Sequence, residues 1–132
     1  MILVDSNILL DILTTDPKWY NWSASQLSAF AEFHELIIND IIYTEISIGF
    51  EKIEDLEETL SNEFFKIMPI PKEALFLAGK AFLQYKSNKG NKNLVLPDLF
   101  IGAHASILDI PLLTRDTSRY KTYFPKLKLI TP

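Results

Sequence analysis

The stretch MILVDSNILLDIL, residues 1–13, decides the fold class of this chain. Four consecutive apolar positions, 1–4, are typical of a strand covered on both faces, and the apolar spacing of residues 7–13 is helical. These residues therefore predict a β-strand that passes directly into an α-helix. Asp5 lies where the strand ends, so its carboxylate should reach the crevice beyond the carboxyl ends of the predicted strands.

The same alternation continues along the chain. Further strands are predicted from short apolar segments at 36–38, 65–68, 111–114 and 128–130. Helical patterns lie between them: 23–33 with Ser23 as its N-cap, 40–50, 53–60, 71–85, 98–108 and a short turn or helix at 118–120. Strands alternating with helices predict an α/β fold with a mainly parallel sheet covered on both sides. We expect residues 1–132 to form a single domain.

The composition narrows the classes of function. The chain is 48% hydrophobic and 23% charged, as in ordinary globular proteins. It has no Cys, which excludes disulfides, thiolate nucleophiles and Cys-ligated zinc. No apolar run approaches the length of a membrane span, and the sequence begins with the candidate strand rather than a signal peptide. We therefore expect a cytoplasmic protein without a membrane segment.

Four carboxylates, Asp5, Glu45, Asp98 and Asp116, share a context that folding alone does not favour. Each follows an apolar strand or lies on the inward face of an apolar helix. Bringing like charges into one cleft costs free energy unless protons or cations neutralise them. A cluster that offers only oxygen ligands suits a hard divalent cation such as Mg²⁺ or Mn²⁺. The pattern predicts a metal-dependent enzyme, with phosphodiester chemistry as the leading interpretation.

Glu45 is the most informative of the four. On the predicted helix 40–50 it shares an apolar stripe with Ile41 and Ile42, and no Lys or Arg occurs between Lys18 and Lys52. A long-range salt bridge is the alternative to a metal, because a buried acid needs a partner. Asp98 has a structural alternative too, since a carboxylate in the first turn of a helix is favoured by the helix dipole.

Three polar residues beside the acids, Ser6, Asn7 and Thr114, would orient carboxylates or waters around a metal. Asn7 has the alternative role of starting the first helix. Ser6 has no nearby His base and is a poor candidate for a nucleophile. Neither histidine has a metal-binding spacing, so His104 is predicted to pack within a helix interface and His34 to lie on the surface.

The charges divide along the sequence. Residues 1–65 contain 13 Asp and Glu but two Lys, whereas residues 66–132 contain 11 Lys and Arg but four acids. Such asymmetry indicates a polyanionic partner for the second half. The acidic stretch 51–63 is interpreted as a solvated helix face.

Four segments, in this order, resemble the motif blocks of PIN domains, specifically the VapC-like toxins of type II toxin–antitoxin systems. They are VDSNILLDIL at 4–13, YTEISIGF at 43–50, LPDLFIGAHA at 96–105 and LLTRDTSRYKTYFP at 112–125. The resemblance spans nearly the whole chain. It implies a PIN-like three-layer α/β/α fold, Mg²⁺- or Mn²⁺-dependent endoribonuclease activity, a homodimer, and inhibition by a cognate antitoxin.

The resemblance assigns the metal site and catalysis to Asp5, Glu45, Asp98 and Asp116. Some relatives have Asn at the equivalent of Asp116 and an acid a few residues later, where this chain has Ser118 and Arg119. Asp116 is therefore either a direct ligand or an accessory acid.

An RNA substrate gives the basic residues a role. We expect five cations to guide RNA to the acidic cleft: Lys86, Lys89, Lys92, Arg115 and Arg119. The three lysines lie in or beside the polar segment SNKGNKN at 87–93, just upstream of Asp98.

Other functions stay open or fit less well. A PIN nuclease of RNA processing without an antitoxin would use the same chemistry. A non-catalytic PIN-like binding module would be expected to have lost acids, and all four are present. A haloacid-dehalogenase-type phosphatase needs a second acid two residues after Asp5, where this chain has Asn7, and a phosphoacceptor receiver domain needs an acidic pair at the first strand end.

Overall fold

The structure is a computed structural model that describes residues 1–62, 65–87 and 96–132. Within these residues it has five strands: β1 (Ile2–Val4), β2 (Leu36–Ile38), β3 (Lys66–Ile67), β4 (Leu112–Leu113) and β5 (Leu129–Ile130). The same residues form seven helices: α1 (Ser6–Leu13), α2 (Tyr20–Ala31), α3 (Asp40–Ser47), α4 (Ile53–Asn62), α5 (Lys72–Ser87), α6 (Leu96–Leu108) and α7 (Arg119–Tyr123).

The strands form a parallel sheet with β1 at its centre. The strand order is β3-β2-β1-β4-β5, and every pairing is parallel. Leu3 of β1 is in register with Ile37 of β2 and Leu112 of β4. All three residues are completely buried, as expected for central strands of a parallel sheet. The α/β fold with a mainly parallel sheet is thereby confirmed.

The order of the strands defines where a ligand can bind. The chain steps from β1 to β2 and β3 on one side, then returns to β4 and β5 on the other side of β1. Right-handed crossovers put α1 to α4 on one face and α5 to α7 on the other. The packing agrees for most helices, because α1 contacts α2 and α3, while α6 contacts α5 and α7; α6 also contacts α3, next to the hydrogen bond between Asn39 and His104. The direction reverses between β1 and β4, and ligands of such sheets bind beyond the carboxyl ends of these two strands.

The start of α2 differs from the sequence prediction. Ser23, predicted as its N-cap, lies buried within the helix and donates its hydroxyl to Asp11 Oδ2 at 2.6 Å. The helix begins at Tyr20 because Asp16 Oδ1 accepts hydrogen bonds from two backbone amides just ahead of it. The Asp16 turn therefore puts the N-cap of α2 at Trp19, four residues earlier than the predicted cap at Ser23.

Both histidines have the structural positions predicted for them. His104 is completely buried in α6, and its Nδ1 lies 3.0 Å from Asn39 Nδ2, which donates to it. Asn39 Oδ1 in turn accepts the amide of Ile42 at the start of α3, which fixes the orientation of the Asn39 amide. Burial holds the pKa of His104 below its usual value, so the ring is neutral. His34 is exposed next to Phe30.

Among the residues that the structure describes, no helix is both long and apolar enough to cross a bilayer.

Candidate active site

Asp5 and Thr114 meet at the point where the sheet reverses direction. Asp5 follows β1 in an extended conformation, caps α1 and is 3% exposed. Its Oδ1 accepts the backbone amide of Ser6 at 2.7 Å. Thr114 follows β4 and donates its hydroxyl to Asp5 Oδ2 at 2.8 Å. The two central strands thus bring together side chains that are 109 residues apart.

Ser6 connects Asp5 with Glu45. The Ser6 hydroxyl lies 2.9 Å from Glu45 Oε1 and 3.4 Å from Asp5 Oδ1. A hydroxyl has one proton to donate, so the shorter contact to Glu45 is the hydrogen bond and Asp5 lies beside it. Glu45 is half-buried on α3, next in sequence to the completely buried Ile46. The hydrogen bond from Ser6 shows that the Glu45 side chain reaches α1.

Tyr120 connects Asp5 with Asp98. Its hydroxyl, completely buried, donates to Asp5 Oδ2 at 2.8 Å and lies 3.5 Å from Asp98 Oδ1. Asp98 is buried in the first turn of α6. Tyr120 is a residue of this site that was not predicted from the sequence. Its signal was an aromatic residue with a polar tip inside the fourth motif block, four residues after Asp116.

The charges of Asp5 and Asp98 act on neighbouring groups of the site. Burial raises the pKa of Asp5, and the charge of Asp98 raises it further. Burial likewise raises the pKa of Glu45, to which Asp5 and Asp98 both add. Burial, followed by the charges of Asp5 and Asp98, raises the pKa of Tyr120 well above its usual value, so the phenol stays protonated and acts as a donor. A cation near these carboxylates would lower their mutual repulsion.

Asp116, the fourth predicted acid, is paired with an arginine. Its Oδ2 forms a close ion pair with Arg119 Nε, and its Oδ1 accepts the amides of Ser118 and Arg119 at 2.9 and 2.8 Å. Arg119 Nη1 also lies 3.5 Å from Asp98 Oδ2. Burial alone would raise the pKa of Asp116, but Arg119 and the two amides together lower it. Asp116 is therefore connected to Asp98 through Arg119, which forms an ion pair with both carboxylates.

The three carboxylates have the chemistry of a magnesium or manganese site. Their oxygens, however, do not surround a common position for an ion. Asp5, Glu45 and Asp98 offer oxygen ligands only, which these ions prefer. Within residues 1–62, 65–87 and 96–132, no three acidic or histidine side chains are arranged to hold one metal ion. The carboxylates are joined in pairs by the hydroxyls of Ser6 and Tyr120 instead.

Asn7 connects Asp5, which follows β1, with Thr114 and Arg115, which follow β4. Its Nδ2 donates to Thr114 Oγ1 at 3.1 Å and lies 3.4 Å from Asp5 Oδ2. Its Oδ1 accepts the amide of Arg115 at 3.2 Å. The residue that caps α1 is Asp5, so Asn7 is not the helix-starting residue. Ser6, Asn7 and Thr114 therefore all contact Asp5, as expected of residues that orient a carboxylate.

Arg115 forms an ion pair with a buried acid of helix α1, Asp11. Its Nε donates to buried Asp11 Oδ2 at 2.9 Å, and its guanidinium lies 5.4 Å from the centre of the Trp19 ring. Ser23 donates to the same Asp11 oxygen. Arg115 thus links the residues after β4 to α1 and α2, and its predicted contact with RNA stays a prediction.

The other cations predicted to guide RNA have different surroundings. Arg119 pairs with Asp98 and Asp116. Lys86 lies in the last turn of α5, with its ammonium 5.5 Å from the centre of the Phe82 ring. Lys89 and Lys92 lie outside the described residues.

Comparisons with known proteins agree with this fold. The family model described as "PIN domain" matches residues 2–125. The structure is similar to VapBC2 from Rickettsia felis bound to a DNA fragment from its promoter, with a TM-score of 0.77, 22% identity and coverage of 99% of this chain and 98% of that chain. It is also similar to a toxin-antitoxin complex from Klebsiella pneumoniae (TM-score 0.71, 23% identity, coverage 99% and 97%) and to VapBC-1 from nontypeable Haemophilus influenzae (TM-score 0.73, 19% identity, coverage 99% and 98%).

The search of curated protein sequences gives no match. The family assignment therefore rests on the family model, which spans residues 2–125 and includes Asp5, Glu45, Asp98 and Asp116. This chain belongs to the PIN domain family.

Proposed function

We propose that this chain is a Mg²⁺- or Mn²⁺-dependent endoribonuclease and the toxin of a type II toxin–antitoxin system. The observation that carries the proposal is the cluster of Asp5, Glu45 and Asp98, joined through Ser6 and Tyr120 where the sheet reverses direction. Membership of the PIN family and the similarity to toxin–antitoxin complexes support it.

The carboxylates would hold the metal. Asp5, Glu45 and Asp98 are the proposed ligands, and Asp116 is a further acid of the site that Arg119 holds at the start of α7. When bound, a divalent ion would neutralise phosphate charge and acidify an attacking water. Thr114 and Tyr120 both donate to Asp5 Oδ2, and these hydrogen bonds favour the ionised form of the buried carboxylate and fix its orientation.

We expect the antitoxin to act on the same site. Four acids attract a guanidinium, whose planar fork pairs with carboxylates in two parallel hydrogen bonds. Apolar antitoxin residues would bind an adjacent surface, to which Trp19 and Trp22 contribute partly exposed aromatic rings. The proposed inhibitor therefore inserts an arginine among the acids while its apolar residues bind this aromatic surface. We also expect this chain to form a homodimer. Sedimentation equilibrium of the purified chain would measure its mass in solution.

The direct test is RNA cleavage by the purified chain with Mg²⁺, with Mn²⁺ and in excess chelator. Asp5→Asn and Asp98→Asn keep side-chain size but remove the charge that holds the metal, so both should lose cleavage. Asp109→Asn is a matched control, because this carboxylate is 85% exposed and its positive φ of 53° suits Asn. Full cleavage in chelator would contradict the proposal, and mapping the new RNA ends would identify the substrate.

Two further measurements separate this proposal from its alternatives. A nuclease of RNA processing would cleave RNA without being inhibited by the product of an adjacent antitoxin gene. A non-catalytic binding module would bind RNA but would neither bind Mn²⁺ nor cleave the RNA. Co-expression with the adjacent gene product and Mn²⁺ titration decide between them.

A further inference from the structure

Helix α7 supplies two neighbouring side chains to the acids, and they differ in their freedom to move. Tyr120 is completely buried and donates to Asp5. The Arg119 side chain is 36% exposed, although it pairs with Asp98 and Asp116. Leaving the acids would require the guanidinium to rotate into solvent, whereas the phenol has no such path. Arg119 is therefore the removable donor of the pair.

The Arg119 guanidinium compensates one side of the acid cluster. Burial would lower the pKa of Arg119, but Asp116 and Asp98 outweigh it and raise the pKa. The pKa of Asp116 is held low by the same pairing, whereas the pKa values of Asp5 and Glu45 are raised. The site thus carries a positive charge of its own at Asp98 and Asp116, whereas burial is the main cause that disfavours the ionised forms of Asp5 and Glu45.

We propose that Arg119 is an internal counter-ion that competes with the divalent metal for Asp98. The inference rests on the proposed function, since it assumes that the acid cluster binds Mg²⁺ or Mn²⁺. In the metal-free protein the guanidinium bridges Asp98 and Asp116, and a metal binds Asp98 only after this ion pair opens. The apparent metal affinity is lowered by the fraction of molecules in which the pair is closed. Arg119 thus stabilises the metal-free site and weakens its affinity for the metal.

The test is Mn²⁺ binding to the wild type, Arg119→Gln and Arg115→Gln, measured by calorimetry. Each variant removes one positive charge from the residues that follow β4, but Arg115 pairs with Asp11 rather than with Asp98 or Asp116, so its variant leaves the competing ion pair in place. Arg119→Gln should bind Mn²⁺ about two- to fivefold more tightly than Arg115→Gln, because it also removes the competing ion pair. In chelator, Arg119→Gln should unfold at a lower temperature than the wild type.

Equal or weaker Mn²⁺ binding by Arg119→Gln than by Arg115→Gln would overturn the inference. If the wild type fails to bind Mn²⁺ and Arg119→Gln binds it, competition by Arg119 is supported. If neither binds, the proposed function fails and the inference with it. A measurement on the wild type covers the case of a misfolded variant: hydrogen exchange of Arg119 Nε–H by NMR should accelerate on addition of Mg²⁺, and unchanged exchange would overturn the inference.

Discussion

At Glu45, function and stability have opposite requirements. The carboxylate is half-buried, and its pKa is raised by burial and by the charges of Asp5 and Asp98. Its ionised form therefore costs stability in the metal-free protein, although the hydrogen bond from Ser6 offsets part of that cost. Groups with perturbed pKa values are concentrated at functional sites, where they are kept for the reaction rather than for the fold.

Glu45→Gln should raise the free energy of unfolding in chelator at pH 7 while abolishing RNA cleavage. The expected gain is about 0.5 kcal/mol, because solvent screens a half-exposed side chain and Gln can still accept from Ser6. The folded pKa is raised, so the stability that protonated Glu45 contributes is complete below the unfolded pKa of 4.5 and is lost as pH rises through the folded value. The difference between the two proteins should therefore be smaller at pH 4 than at pH 7.

Urea unfolding at both pH values, in chelator, measures this difference. A wild type more stable than Glu45→Gln at pH 7 would show that its hydrogen bonds outweigh the repulsion.

At the scale of elements, α6 and α7 position the site through one close contact. Gly102 of α6 faces α7, and a Cβ built on it would lie 2.5 Å from two ring atoms of Phe124 and 3.1 Å from Tyr120 Cδ1. Both aromatic residues are buried and have little room to shift. The glycine therefore allows α7 to approach closely enough for Tyr120 to reach Asp5 and for Arg119 to reach Asp98.

Gly102→Ala should destabilise the protein by about 1–3 kcal/mol, because overpacking outweighs the gain in helix propensity. It should also weaken RNA cleavage, since Tyr120 would be displaced. Gly79→Ala is the matched control: Gly79 is exposed in α5, nothing lies within 4 Å of its built Cβ, and the change should stabilise by about 0.5–1 kcal/mol. Thermal unfolding of both variants checks the signs, and a Gly102→Ala protein as stable as Gly79→Ala would contradict this packing argument.

The sequence predicted elements better than contacts between them. The central strands and the acids after them follow from local apolar runs, so β1, β2 and the position of Asp5 were predictable. The prediction that Ser23 caps α2 is wrong, because two backbone amides donate to the side chain of Asp16 and the helix begins at Tyr20. Tyr120 and the ion pair of Arg119 with Asp98 could not be predicted, because both depend on how α7 packs against α6, which no short-range pattern specifies.

At the scale of the whole molecule, the division of charge along the chain is the feature that concerns the substrate. The acids lie at the carboxyl ends of the central strands, whereas an RNA backbone needs positive charge to reach them. Of the predicted cations, Arg115 and Arg119 have internal partners in the described residues. Most of the predicted attraction for RNA is therefore expected from Lys86, Lys89 and Lys92.

Replacing Lys86, Lys89 and Lys92 together by Ala should weaken RNA binding and flatten its dependence on salt. For each phosphate that the variant no longer neutralises, the slope of log K against log salt should fall by about 0.7. A triple variant of Lys66, Lys126 and Lys128 is the matched control; Lys66 and Lys128 lie at the start of the edge strands β3 and β5, away from the carboxyl-end crevice. Fluorescence anisotropy over a range of salt concentrations measures both slopes. Equal slopes for the two triple variants would mean that the 86–92 lysines do not bind RNA.

The pairing of β1 with β4 also determines when the site can exist during protein synthesis. Leu3 pairs with Leu112, and the donors to Asp5 from Thr114 and Tyr120 come 109 and 115 residues later in the chain. A ribosome makes Asp5 more than 100 residues before Thr114 and Tyr120, and such long-range contacts form slowly. The cleft is therefore completed only after Tyr120 has been synthesised. A product interrupted before Thr114 would contain Asp5, Glu45 and Asp98 but would lack the two hydroxyls that orient Asp5, so a cell would be exposed to the intact cleft only after both donors have been made.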